Sequence, residues 1–150
     1  MREILYRAIS MATGEHWLYG QPRHYTHNPH TEKWTMYDPT TRIETDIDEE
    51  TLGEYTGKEI DKDRLFDGDI CKFKYIPNPH FNNPNEYNVT AVVEWSESNC
   101  WFILRNLQPS SKSHPSRKQY FSLGDYRISG LTIIGNRWDT PELLKGGENG

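Results

Sequence analysis

Alanine occurs three times in this 150-residue chain, whereas threonine occurs 12 times and tyrosine and tryptophan together 14 times. Alanine is the best helix former, while β-branched and aromatic side chains suit a pleated surface, so this balance directs the chain towards strands. Leu, Ile, Val and Phe number 29, just under the fifth of the chain below which folding itself comes into question. The 19 aromatic residues offset that deficit, because each buries a large apolar area. The expectation is a folded, mainly β protein with a thin, aromatic-rich core. Its length suits one ordinary domain or two very small ones.

Residues 4–10 alternate apolar and polar positions, Thr13-Gly14-Glu15 offers a turn, and 16–19 are aromatic-rich, which reads as a hairpin. Pro22 and Pro29 bracket a stretch of Tyr, His and Asn; lacking two amide donors, it is expected to be a surface loop. Residues 33–37 and 42–47 alternate again around the turn Asp38-Pro39-Thr40, giving a second hairpin and four short strands in the first third. Between residues 42 and 69 eleven acids face four bases, a local excess larger than the net charge of −5 for the whole chain. Within it Asp48 is placed to cap a single helical turn ending near Leu52, and Asp61-Lys62-Asp63 forms another turn. The remainder of this acidic stretch reads as a solvated, turn-rich face.

Five short strands follow, at 69–76, 88–95, 100–104, 119–123 and 131–136, and five strands between turn clusters are what a small SH3-sized barrel requires. Two excursions, 76–85 and 108–118, interrupt them. The architecture read from the residues is therefore an N-terminal β-rich hairpin region over 1–60 and an SH3-like small β-barrel over 61–150. In Phe66-Asp67-Gly68-Asp69-Ile70 the glycine can adopt a positive φ and the aspartates can bond neighbouring amides, so the chain turns sharply into a strand. Gly135 suggests a bulge or close backbone approach, with Asn136 suited to a left-handed conformation beside it.

Several of these segments carry a resemblance. The run from Arg2 to Ala8, Glu54-Tyr55-Thr56-Gly57, Leu65-Phe66-Asp67-Gly68-Asp69-Ile70, Val93-Glu94-Trp95 and Ile134-Gly135-Asn136 with Pro141-Glu142-Leu143-Leu144 resemble the YopX-like proteins. These are small proteins encoded by bacteriophages and prophages. The resemblance spans nearly the whole chain and implies an SH3-type barrel on the C-terminal side. It implies no assigned activity and no catalytic residue to carry over. The chain departs from the family pattern at Asp61-Lys62-Asp63-Arg64, where a glycine-containing turn is common, and the two excursions look like decorations of this member.

His24, His27 and His30 recur every third residue, with His16 before and Glu32 after, a ligand set for a first-row metal. The prolines oppose the helix that would align them, so a solvated loop is the plainer reading. The acidic stretch lacks the spacing of a calcium loop. Phosphate-cradling, dinucleotide, zincin and nucleophile-elbow motifs are absent, and nothing activates Cys100, read as an inert, half-buried thiol. With no C-x-x-C spacing, Cys71 and Cys100 indicate neither a zinc clamp nor a disulfide framework, and no cofactor is expected.

Three functional classes remain. The leading one is a phage-derived accessory protein that binds a protein partner without catalysis, with Trp17, Tyr19, Trp34, Tyr37 and the two excursions as contact residues, because aromatic side chains bind with little rotamer entropy to lose. The alternative is a nucleic-acid-binding small barrel using Lys72, Lys74, Arg105, Lys112, Arg117 and Lys118 as a basic strip, with Tyr120 and Phe121 as stacking platforms. The most remote is a metal-dependent phosphodiesterase built on the histidine loop. No membrane-length apolar run and no signal-peptide core is seen, so a cytoplasmic protein of the bacterial host cell is expected. Exposed sheet edges make a homo-oligomer a further expectation.

Overall fold

The computed structural model describes residues 3–14, 16–26, 32–108 and 118–145. Eleven strands follow one another: β1 (Tyr6–Ile9), β2 (Trp17–Thr26), β3 (Glu32–Asp38), β4 (Ile43–Asp46), β5 (Gly53–Ile60), β6 (Asp63–Phe66), β7 (Asp69–Tyr75), β8 (Tyr87–Ser96), β9 (Trp101–Asn106), β10 (Tyr120–Ser122) and β11 (Ile128–Asn136). Two single 3-10 turns, Glu49–Thr51 and Pro141–Lys145, complete the described structure, which contains no α-helix. The protein is mainly β, built on two antiparallel sheets. The chain forms two compact units, Met1–Lys58 and Glu59–Gly150, with β5 running over the boundary.

In the first unit the strands lie in the order β4-β3-β2-β1-β5. Three successive hairpins place β1 to β4, and the chain then returns to lay β5 on the far side of β1. The return passes through the 3-10 turn, where the Asp48 carboxylate accepts from Glu50 N at 3.1 Å, as the sequence predicted. The Thr51 hydroxyl ties that turn to β1 by accepting from Ile9 N at 2.8 Å and donating to Asp48 O at 2.7 Å. Ala8, Met36 and Ile47 form a small core, with Leu18 and Trp34 packed against it.

Two expectations for this region are corrected. β2 does not end before Pro22 but passes through it to Thr26. The β1–β2 ladder covers only residues Trp17 to Gly20 of β2, so beyond Gly20 β2 has a partner on one side alone, and Pro22 sits where an edge can go without its donor. The acidic stretch is also not only turns, since it contains β5 and β6. Gly53 and Tyr55 are buried while the half-buried Glu54 and Thr56 alternate with them. Asp61 and Lys62, at φ 51° and 73°, make the two-residue turn between these strands, a backbone that glycine would adopt without strain.

The second sheet has the order β10-β9-β8-β7-β11, a four-strand meander with β11 returning beside its first strand. It is not closed into a barrel, which corrects the SH3-like expectation: β10 and β11 each remain an edge. Closure needs two edges long enough to share a ladder, and β10 has only three residues. Side chains fill the inner face instead. Phe121 on β10 is fully buried and meets the rings of Phe73 and Tyr75 edge-on, at centroid distances of 5.3 and 4.9 Å. Leu65, Val93 and Leu104 complete the centre of this core.

Candidate functional site

The aromatic residues nominated for protein contact divide between the two faces of the first sheet. Register places Trp17, Tyr19 and Tyr37 on one face and Trp34 on the other, where Trp34 packs on the core and stacks against His24 at 4.4 Å. On the first face Arg7 lies 4.5 Å over the Trp17 ring and Arg23 lies 4.2 Å over Tyr37. Tyr19 is the most exposed of the four. The same face carries a carboxylate site: Glu44 accepts from the Thr35 hydroxyl and the Tyr25 phenol, each at 2.6 Å, with Arg23 3.8 Å away. Those two hydroxyls, the Thr35 bond foremost, hold the Glu44 carboxyl below its ordinary value. The arrangement fixes cross-strand order and holds no activated nucleophile.

Of the six basic residues nominated for nucleic acid, four lie among the described residues. Lys72 and Lys74 stand exposed on the outer face of β7. Arg105 on β9 is clamped to Glu94 through two hydrogen bonds of 2.9 and 3.0 Å, and Arg137 reaches the same carboxylate at 2.8 Å. Burial pushes the Glu94 carboxyl up, but the two arginines outweigh it and leave it below the ordinary value. Lys118 lies with the opposite, core-facing side of the sheet, its ammonium 5.5 Å from the Tyr75 and Phe121 rings and 3.8 Å from Asp125. Phe121 is buried and offers no stacking platform, whereas Tyr120 is exposed. Lys112 and Arg117 lie outside the described residues.

The histidine set is only partly described. His24 on β2 has its Nε2 3.4 Å from Glu32 Oε1, while His27 and His30 lie outside the described residues. Among the described residues no group of three or more His, Cys, Asp or Glu is placed to hold a metal ion. Cys100 is exposed and not half-buried, on a turn with φ 49°, whereas Cys71 is fully buried and its thiol is pushed up to about 12, first by burial and then by Asp69.

A surface cluster the sequence reading passed over is formed by Trp101, Ile103 and Tyr120, which with Asn99 and Ser122 line a shallow recess of about 260 Å³. The signal was present in the run Trp101-Phe102-Ile103-Leu104. On a strand with one covered face, alternate members of an apolar run must point outwards, and here Phe102 and Leu104 take the core.

Three of the motif segments, those around Gly68, Val93 and Gly135, converge on one structural knot in the second unit. Gly68, at φ 91°, donates its amide to Val93 O and accepts from Arg137 N, and the Trp138 ring lies against its Cα. The Asp69 carboxylate accepts from Phe66 N at 2.8 Å, closing the turn into β7. Gly135 lies at a register shift in β11, so close to Thr140 that a side chain there would overlap its hydroxyl. Asn136 is not left-handed as expected but extended; its side chain accepts from the amides of Trp138 and Asp139 and so caps the following turn. These residues shape backbone, and their partners Arg137, Trp138 and Thr140 were not singled out from the sequence.

Among the described residues no helix is long and apolar enough to cross a membrane. Comparison with curated proteins and with solved structures returns no match. Residues 5–145 match the family model described as YopX protein, which takes in both sheets and the convergent motif segments, and the chain therefore belongs to the YopX family.

Proposed function

We propose that this protein is a non-catalytic protein-interaction module, a phage or prophage accessory protein that acts by occupying a partner protein in the cytoplasm of the bacterial host. The observation that carries this reading is the distribution of the bases. Among the described residues Arg105 and Arg137 are committed to Glu94, Arg127 to Asp125 at 2.9 Å and Lys33 to Asp46 at 3.1 Å, which leaves Lys72 and the loosely paired Lys74 as an isolated couple. A polynucleotide needs a continuous track of cations to displace counterions, and paired cations on an acidic chain are a poor substitute. Against this, Tyr120 on the short edge strand β10 and Trp101 on the neighbouring β9 stand exposed, and aromatic side chains next to an open edge suit a protein surface.

The test combines two measurements on the full chain. A labelled mixed-sequence oligonucleotide is titrated across a salt series, and proteins retained from a host lysate are recovered after nuclease treatment. The reading expects no oligonucleotide binding at low salt and a partner that survives the nuclease. Oligonucleotide binding with a steep salt slope would replace it with the nucleic-acid alternative.

A further inference from the structure

β7 lies between β8 and β11, and its outward lysines stand at the centre of two cross-strand rows. Thr90 and Thr132 flank Lys72, and Asn88 and Ser129 flank Lys74. Between the rows the register of β11 shifts at Gly130, whose φ is 69° and beside which no atom lies within 4 Å of a would-be Cβ. The result is a groove of about 510 Å³ on the outer face of the sheet, with Gln108 and Ile134 also in its lining. Lys72 has no acidic partner among the described residues, and Lys74 has only the exposed Glu86.

We infer that this groove holds an extended peptide segment of the partner protein carrying acidic side chains at alternate positions. The inference rests on the interaction-module reading and names the chemistry of its ligand. Residues two apart on one face of a strand are separated by about 6.8 Å, and alternate side chains of an extended peptide have the same spacing. One carboxylate can therefore meet each ammonium while the adjacent hydroxyl and amide groups donate to its second oxygen. Ile134, which is 37% exposed, offers an apolar rest at one end. A single-stranded polynucleotide matches less well. Its bases require aromatic faces, and Phe73, the aromatic residue of the lining, turns its side chain to the core and is 3% exposed.

The experiment uses the full chain and fluorescence anisotropy at low salt. The probes are a labelled peptide alternating glutamate with threonine, its glutamine counterpart, and a single-stranded mixed-sequence oligonucleotide. The glutamate peptide is expected to bind and the other two to fail. Lys72→Gln should weaken binding about fivefold and the Lys72→Gln, Lys74→Gln pair more than tenfold, the range of exposed ion pairs, while Lys33→Gln leaves it unchanged. Amide shifts on peptide addition should centre on Thr90, Ser129 and Thr132. Equal binding of the glutamine peptide, no binding of the glutamate peptide, or an unaffected double variant would overturn the inference. A partner protein still retained by the double variant removes the groove and leaves the module reading standing, whereas an oligonucleotide bound through these lysines removes both.

Discussion

Gly68→Ala is a sensitive test of how the second unit is held together. The glycine is at φ 91°, a region where an L side chain costs about 1–2 kcal/mol. A methyl group built there would also come within 2.7 Å of Trp138 Cη2 and closer still to Cζ3. The ring cannot retreat freely, because its residue lies between Arg137, whose amide is bonded to Gly68 O at 3.0 Å, and the turn capped by Asn136. Forcing a methyl into such a contact adds about 1–3 kcal/mol, the usual range for overpacking. The sum of about 2–5 kcal/mol is a large part of the stability of a small domain. A double-mutant cycle separates the two parts. In a Trp138→Ala background the steric part disappears and only the dihedral cost remains, so the coupling between the positions should be about 1–3 kcal/mol. Urea unfolding followed by far-ultraviolet circular dichroism measures all four members without relying on the tryptophan that is removed. Additive effects, with coupling within about 0.5 kcal/mol of zero, would refute the account of Trp138 as the residue that makes glycine necessary at position 68.

The turn at Asp61 and Lys62 gives a prediction of opposite sign. Lys62→Gly relieves about 1–2 kcal/mol of left-handed strain and gives back about 0.4–1 kcal/mol in unfolded-chain entropy, so a net stabilisation of about 0.5–1 kcal/mol should appear as a higher urea midpoint at unchanged slope; destabilisation would show that the lysine side chain has an unrecognised role. The acid limb of stability should depend on Glu94. Its folded-state value is depressed below the ordinary 4.5, so the clamp to Arg105 and Arg137 contributes fully above about pH 4.5 and is lost as the pH falls through the lowered folded value. Glu94→Gln should flatten the stability profile in that window in thermal melts, and an unchanged profile would exclude the clamp as a contributor.

Much of the chain's local grammar was legible in advance. The hairpins of the first third, the cap at Asp48 and the turn at Gly68 all depend on neighbours within a few residues, and residue type is sufficient to indicate them. The passage of β2 through Pro22 was not legible, because a proline is tolerated there only since β1 stops pairing at Gly20. Strand β5 was hidden because its buried positions are only a glycine and a tyrosine, among charged neighbours. The candidate surface was read least completely. Six bases were nominated by charge alone; of the four among the described residues, Arg105 is taken by Glu94, Lys118 lies near Asp125 and the Phe121 ring, Lys74 has the exposed Glu86, and Lys72 has no acidic partner.

The sequence by itself determined the class of structure and the places where the backbone bends, because alanine scarcity, alternation and left-handed turn residues act through local sterics and solvent contact. Tertiary structure decided whether the second sheet closes, which face each aromatic residue takes and which cations remain unpaired. Those outcomes rest on partners far apart in the chain, such as Glu94 with Arg137, 43 residues away, and Phe121 with Phe73. Coulomb attraction and packing depend on distance in space, and only the folded register brings those groups within reach of one another.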